Sequence, residues 1–167
     1  IQEIARLAHE KGALFHTDAV QSLGKENINL HEWGVDYASF SAHKFYAMKG
    51  SGVLFARKGV PQISLIHGGG QERSRRGGTE NILGIQSLGV MAELVLAEGE
   101  DFILREAKKM ASLRDYLQKR IFAEISDVFI TADKAERLPN TLSLVLNEVD
   151  GETLLMILDI KGFAVST

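Results

Sequence analysis

His16-Thr17-Asp18-Ala19-Val20-Gln21 and, further along, Ser41-Ala42-His43-Lys44 are the two stretches on which the reading of this chain turns. The apolar run Ala13-Leu14-Phe15 leads into the first. Residues 13–18 are therefore expected to form a buried strand that carries an acid, Asp18, at its C-terminal end. Val35 to Ser41 predicts a second strand, which runs straight into a hydroxyl, an imidazole and a primary amine. Gly52 to Ala56 predicts a third. Strands separated by helical or irregular crossovers indicate an α/β sheet, in which ligand chemistry gathers at strand ends.

Working outward, the chain opens in a helix with Ile4, Leu7 and Ala8 on one face, Lys11 in its last turn and Gly12 as its terminator. Leu30 to Gly34 is a turn or short helix. Residues 67–81, HGGGQERSRRGGTEN, hold five glycines and three arginines, a composition that excludes a regular element and leaves backbone N–H groups accessible. Two helices are expected next. One runs from about Asn81 to Ala97, with Ile85, Leu88, Met91 and Val95 in a stripe. The other runs from about Asp101 to Ile121, with Ile103, Ala107, Met110, Leu113, Leu117 and Ile121 at helical spacing. Arg105, Lys108, Lys109, Arg114 and Lys119 make its solvated face. Beyond Ala123, Val128 to Thr131, Thr141 to Leu146 and Phe163 to Ser166 read as strands, and Asp150 caps a helix that Gly162 ends.

The 167 residues carry a net charge of -3, with no excess of Lys and Arg to neutralise a nucleic-acid backbone. No apolar run reaches the length of a membrane span and no signal peptide opens the chain, so neither a nucleic acid nor a membrane is expected as a partner, and the cytoplasm is the expected compartment. The chain contains no cysteine, which excludes disulfides, thiolate metal sites and a cysteine nucleophile within it. No His or acidic pair has metal-ligand spacing, so no metal is expected. His9 and His31 stand in polar contexts without companions and receive no role.

Together the two stretches supply a carboxylate, an amide, a hydroxyl, an imidazole and an amine, the groups an enzyme uses to hold pyridoxal 5'-phosphate (PLP) as a lysine Schiff base. Lys44 is the candidate catalytic lysine, because an amine in a loop after a buried strand is partly desolvated. Taken alone it equally suits a surface lysine closing a strand. Asp18 suits the pyridinium nitrogen, and equally a cap at a strand-to-helix turn. Gln21 offers its amide to the cofactor's phenolic oxygen. Ser41 and His43 offer donors to the phosphate or a ring oxygen; the alternatives are a strand-end Ser bonded to its own backbone and a structural His. His16 shares a face with Asp18 and is expected to buttress it.

In order and spacing, D-x-x-Q, S-x-H-K and the R-x-G-T element Arg76-Gly77-Gly78-Thr79 resemble the class V aminotransferase family of fold-type I PLP enzymes, its cysteine desulfurase branch in particular. The resemblance runs through nearly the whole chain. It implies an α/β fold: residues 1–98 as the later part of the PLP-binding large domain, 99–123 as a connecting helix and 124–167 as the opening of an α+β small domain. It implies a homodimer in which Thr79 reaches the partner subunit's PLP phosphate. It also implies L-cysteine as substrate, alanine and an enzyme-bound persulfide as products, and a sulfur-acceptor or scaffold protein as partner. The catalytic cysteine and the substrate-carboxylate arginine are then expected after Thr167, and the phosphate-binding helix and the ring-stacking His before residue 1. Where the family often has Gly-Pro after the aromatic that follows the lysine, this chain has Ala47-Met48, a less constrained turn. Other class V reactions, selenocysteine lyase or a small-amino-acid aminotransferase, and a non-catalytic dimerisation module remain open at this point.

Overall fold

A computed structural model describes residues 1–99 and 101–167. The chain divides into two compact units, Ile1–Lys108 and Lys109–Thr167. The division falls inside the helix expected to connect two domains.

The first unit is built on a three-stranded sheet of order β1-β2-β3, with β1 His16–Asp18, β2 Tyr37–Ser41 and β3 Gly52–Ala56. β1 and β2 are parallel, Asp18 lying opposite Ser39, and β3 returns antiparallel, with Gly52 opposite Ser41. The parallel pair brings the C-terminal ends of β1 and β2 to one edge of the sheet, the edge that carries Asp18 and Ser41. β1 is shorter than the apolar run suggested. Leu14 is half exposed and only Thr17 of the strand is buried, because a single neighbouring strand covers it.

Helix α1, Gln2–Glu10, crosses the other end of this sheet. It buries Ala5 and half-buries Ala8 of the expected face, whereas Ile4 and Leu7 are 56% and 47% exposed. His9 explains this facing. Its Nε2 lies 2.8 Å from Oδ2 of Asp36, a fully buried carboxylate, and Arg57 bonds Oδ1 of the same group. The Phe15 N–H donates to Oδ2 at 2.8 Å. Asp36 thus ties α1, the entry to β1 and the exit from β3 together. Burial opposes its ionisation, but the Phe15 amide, His9 and Arg57 outweigh that and hold the carboxyl below its usual range. The small core of the unit is Ala5, Ala19, Val35, Ala38, Ala42 and Phe45.

α2, Leu30–Trp33, is a single capped turn: the Asn29 side chain accepts from the Glu32 N–H, and Gly34 in the left-handed conformation ends it. The glycine-rich segment, expected to lack regular structure, holds one tight turn, α3, Gln71–Ser74, whose inner residues lie outside the right-handed helical region, so it is not a regular helix. Glu72, Arg73 and Ser74 all have positive φ, a costly conformation for residues with a Cβ. The Gly77 N–H closes the loop on the Ile66 carbonyl at 2.7 Å. α4, Ile82–Ala97, starts on the Asn81 side chain, which accepts from the Gly84 N–H at 3.0 Å. Leu88, Met91 and Val95 of its expected stripe are half-buried, whereas Ile85 is exposed. Among the described residues no single helix is long and apolar enough to cross a membrane.

Helix α5, Phe102–Glu124, begins in the first unit and ends in the second. Its covered stripe follows Ile103, Ala107 and Met110 as expected, then passes through Arg114 and Gln118 in place of Leu113 and Leu117, which are 62% and 51% exposed. Arg114, expected on the solvated face, donates to the Leu138 carbonyl at 3.0 Å, and Gln118 accepts from Arg137 at 3.1 Å. Long side chains with polar tips cover this stretch of the helix while their heads find partners. In the second unit β4 Val128–Ile130 and β5 Leu144–Leu146 pair antiparallel, Val128 opposite Leu146. Asp150 caps α6, Gly151–Ile160, accepting from the Thr153 N–H at 2.9 Å. Residues 163–166, expected as a strand, are not one: no ladder partner lies beside them among the described residues, and an isolated extended segment gains no hydrogen bonds.

Candidate active site

The sheet edge at the ends of β1 and β2 gathers Asp18, Gln21, Ser41, His43 and Lys44. Asp18 closes β1 and is exposed, so the cost of an unpaired buried carboxylate does not arise in this chain. Its Oδ1 accepts from the Val20 N–H at 2.9 Å, a side-chain turn that fixes one oxygen and leaves the other free. His16 does not buttress Asp18. Its Nε2 lies 2.7 Å from Oγ of Ser39, the residue opposite Asp18 on β2, so any support is carried through the neighbouring strand.

β2 ends at Ser41 and passes directly into a tight 3-10 turn, Ala42–Phe45, which exposes His43 and Lys44 while burying Ala42 and Phe45. Tyr46, at φ 61, turns the chain out of it. The alternation aims the amine outward, so Lys44 is exposed in this chain and not partly desolvated as expected. Behind the turn, the Ala42 N–H donates to the Ser51 carbonyl at 3.1 Å, and the Met48 N–H donates to Oγ of Ser87 on α4 at 3.1 Å.

Ser41 Oγ and His43 Nδ1 lie 2.7 Å apart, which couples two groups expected to donate separately. If Ser41 donates to Nδ1, the imidazole carries its proton on Nε2 and donates outward from there. If Nδ1 donates to Ser41, the hydroxyl proton points outward. The neutral pair therefore offers a ligand one outward donor, and only the imidazolium offers two together with a positive charge. An anion with several oxygens matches the charged form best.

Two residues that support this edge, one beside it and one at the opposite end of β2, were not singled out by the sequence. Lys25 donates from Nζ to the Gln21 carbonyl at 2.8 Å and to Gln21 Oε1 at 3.3 Å. Asp36 anchors the far end of β2, the strand that delivers Ser41. Thr79 is not brought to the edge by any contact. It lies exposed between α3 and α4 and makes no side-chain hydrogen bond among the described residues.

The class V aminotransferase family model matches residues 1–167, the whole of the chain. The chain belongs to the class V aminotransferase family. Within that family it is 44% identical over 167 residues to cysteine desulfurase IscS of Dictyoglomus turgidum, and 42% identical over 167 residues to cysteine desulfurase NifS of Azotobacter vinelandii. All of this class V chain is matched in each case, against 41% and 40% of the relatives, so it spans about two-fifths of their length. A solved NifS-like protein superposes with a TM-score of 0.86 at 40% identity, covering 99% of this chain and 44% of its own. The α/β fold expected of a fold-type I chain is thereby borne out.

Proposed function

We propose that this chain is the lysine-bearing part of a PLP-dependent cysteine desulfurase. The observation that carries the reading is the S-x-H-K turn at the end of β2, set at the same sheet edge as Asp18 in a chain whose matched relatives are named cysteine desulfurases. The donor set fits the cofactor: an open carboxylate, an amide, a coupled hydroxyl–imidazole pair and an exposed amine. When bound, the cofactor's protonated ring supplies an electron sink for substrate bonds next to it. Asp18 keeps a proton on the ring nitrogen by pairing with it. Gln21 donates its amide to the phenolic oxygen, and Ser41 with His43 donates to the phosphate. Lys44 would hold the cofactor through Nζ and would carry protons at that atom. Thr79 serves the phosphate of the partner subunit in a homodimer, where the glycines before it allow close backbone approach. The sulfur leaves on a cysteine that these 167 residues do not contain, to a sulfur-acceptor protein in the cytoplasm.

Borohydride reduction of the full-length protein with PLP, followed by peptide mapping, tests the central assignment. The pyridoxyl group is expected on Lys44. Finding it on Lys49, Lys58 or another lysine sinks the reading.

A further inference from the structure

We propose that Lys25 is a positioning residue for the cofactor edge: its ammonium grips the oxygen end of the Gln21 side chain and so presents the Gln21 amide nitrogen to the ligand. The proposal rests on the reading of this edge as a PLP site.

Lys25 Nζ holds two oxygens of a single residue, the Gln21 carbonyl at 2.8 Å and Oε1 at 3.3 Å. An ammonium has three donors and no acceptor. Only the oxygen of an amide can face it, because the flipped amide would set N–H against N–H. The orientation of Gln21 is therefore fixed by chemistry, and Nε2 is turned away from Lys25 as a free pair of donors. A donor is what an anionic phenolic oxygen requires.

The segment that carries both residues is firmly seated. The Ala19 N–H donates to the Ser39 carbonyl at 2.9 Å, Ser22 N–H to Ala19 at 3.1 Å, and Lys25 N–H to Ser22 at 3.0 Å. Gly24, at φ +76, lies flat against Phe45: a Cβ there would stand 2.5 Å from Cδ2 of the ring. Phe45 follows Lys44, so this close approach seats the segment of Lys25 against the turn that carries the candidate catalytic amine. Burial first, and then the charge of Lys44, push the Lys25 ammonium below the ordinary lysine range. A freely solvated lysine would feel neither.

The test measures PLP dissociation from the full-length protein by its bound visible absorbance, for Lys25→Met and Lys25→Arg, each in the Gln21 and the Gln21→Ala backgrounds. Lys25→Met removes donor and charge at nearly constant length. It is expected to weaken PLP retention about fivefold more when Gln21 is present than when it is Ala, the worth of one hydrogen bond of about 1 kcal/mol. Arginine, also a donor without an acceptor, should restore retention. Equal costs of Lys25→Met in both backgrounds, or no rescue by arginine, overturn the proposal. Borohydride mapping of the wild-type protein separates the two failures. If PLP maps to Lys44 and the backgrounds do not differ, Lys25 alone loses its role; if PLP does not map to Lys44, the PLP site and the role of Lys25 fall together.

Discussion

At Asp36, burial and ionisation pull in opposite directions, and ionisation prevails because three donors surround the carboxylate. Since its folded pKa is depressed, the stability it contributes is fully present above the ordinary Asp value of about 3.9 and is lost as pH falls through the lower folded value. Asp36→Asn should lower stability by about 1.5–3 kcal/mol at neutral pH, the usual worth of hydrogen bonds to a charged group. In thermal melts across pH, the gap between wild type and variant should close in strong acid. A gap that stays constant down to the acid limit would show that charge is not what Asp36 contributes. Sequence could not pair these residues, because His9 lies 27 positions before Asp36 and Arg57 lies 21 after it, each in an unremarkable polar context. Ser41 and His43 were legible for the opposite reason. Their partnership spans two positions, so the motif itself contains the contact. Lys25 falls between: its partner is four residues away, but nothing in a turn composition announces that both acceptors belong to Gln21.

The start of α4 is the wall behind the Lys44 turn. Ser87 Oγ accepts from the Met48 N–H and donates to the Gly84 carbonyl at 2.8 Å, while Ser51 Oγ donates to the Met48 carbonyl at 2.9 Å. This wall depends on Gly84, where a Cβ would stand 2.7 Å from the Ser51 Cβ and 2.8 Å from the Asn81 side-chain nitrogen. Gly89, on the same helix, has nothing within 4 Å of its Cβ position. Alanine is the better helix former by about 1 kcal/mol at either place, but forced overpacking costs about 1–3 kcal/mol. Chemical denaturation should therefore find Gly89→Ala more stable than wild type and Gly84→Ala less stable; the same sign for both would mean that α4 is not packed against the turn. The existence and type of the long helices were plain from periodicity. The facing of α5 was not, since Arg114 and Gln118 find acceptors and donors in the segment 137–138, and a hydrophobicity pattern does not see hydrogen bonds. Residues 163–166 misled for a related reason: strand propensity needs a neighbour to bond.

Across the whole molecule, the 167 residues span about two-fifths of the matched relatives and contain no thiol. With no group to accept sulfur, a polypeptide of this sequence alone should release sulfide from L-cysteine no faster than the same concentration of free PLP does. Turnover above that control would show that the sulfur leaves by a route needing no cysteine in the chain. The fold class was legible in the sequence because strand ends, acid, amine and glycine-rich loop follow one another in a fixed order, and order survives where individual contacts do not. One element has a practical consequence. Ile82, Leu83, Ile85, Leu94 and Leu96 of α4 are all exposed, so the half of the helix turned away from the Leu88, Met91 and Val95 stripe presents apolar side chains outward. Such a surface is sparingly soluble. Sulfate and other strongly excluded salts strengthen apolar association, so this polypeptide should salt out at low ammonium sulfate and be kept in solution best at low ionic strength with mild detergent.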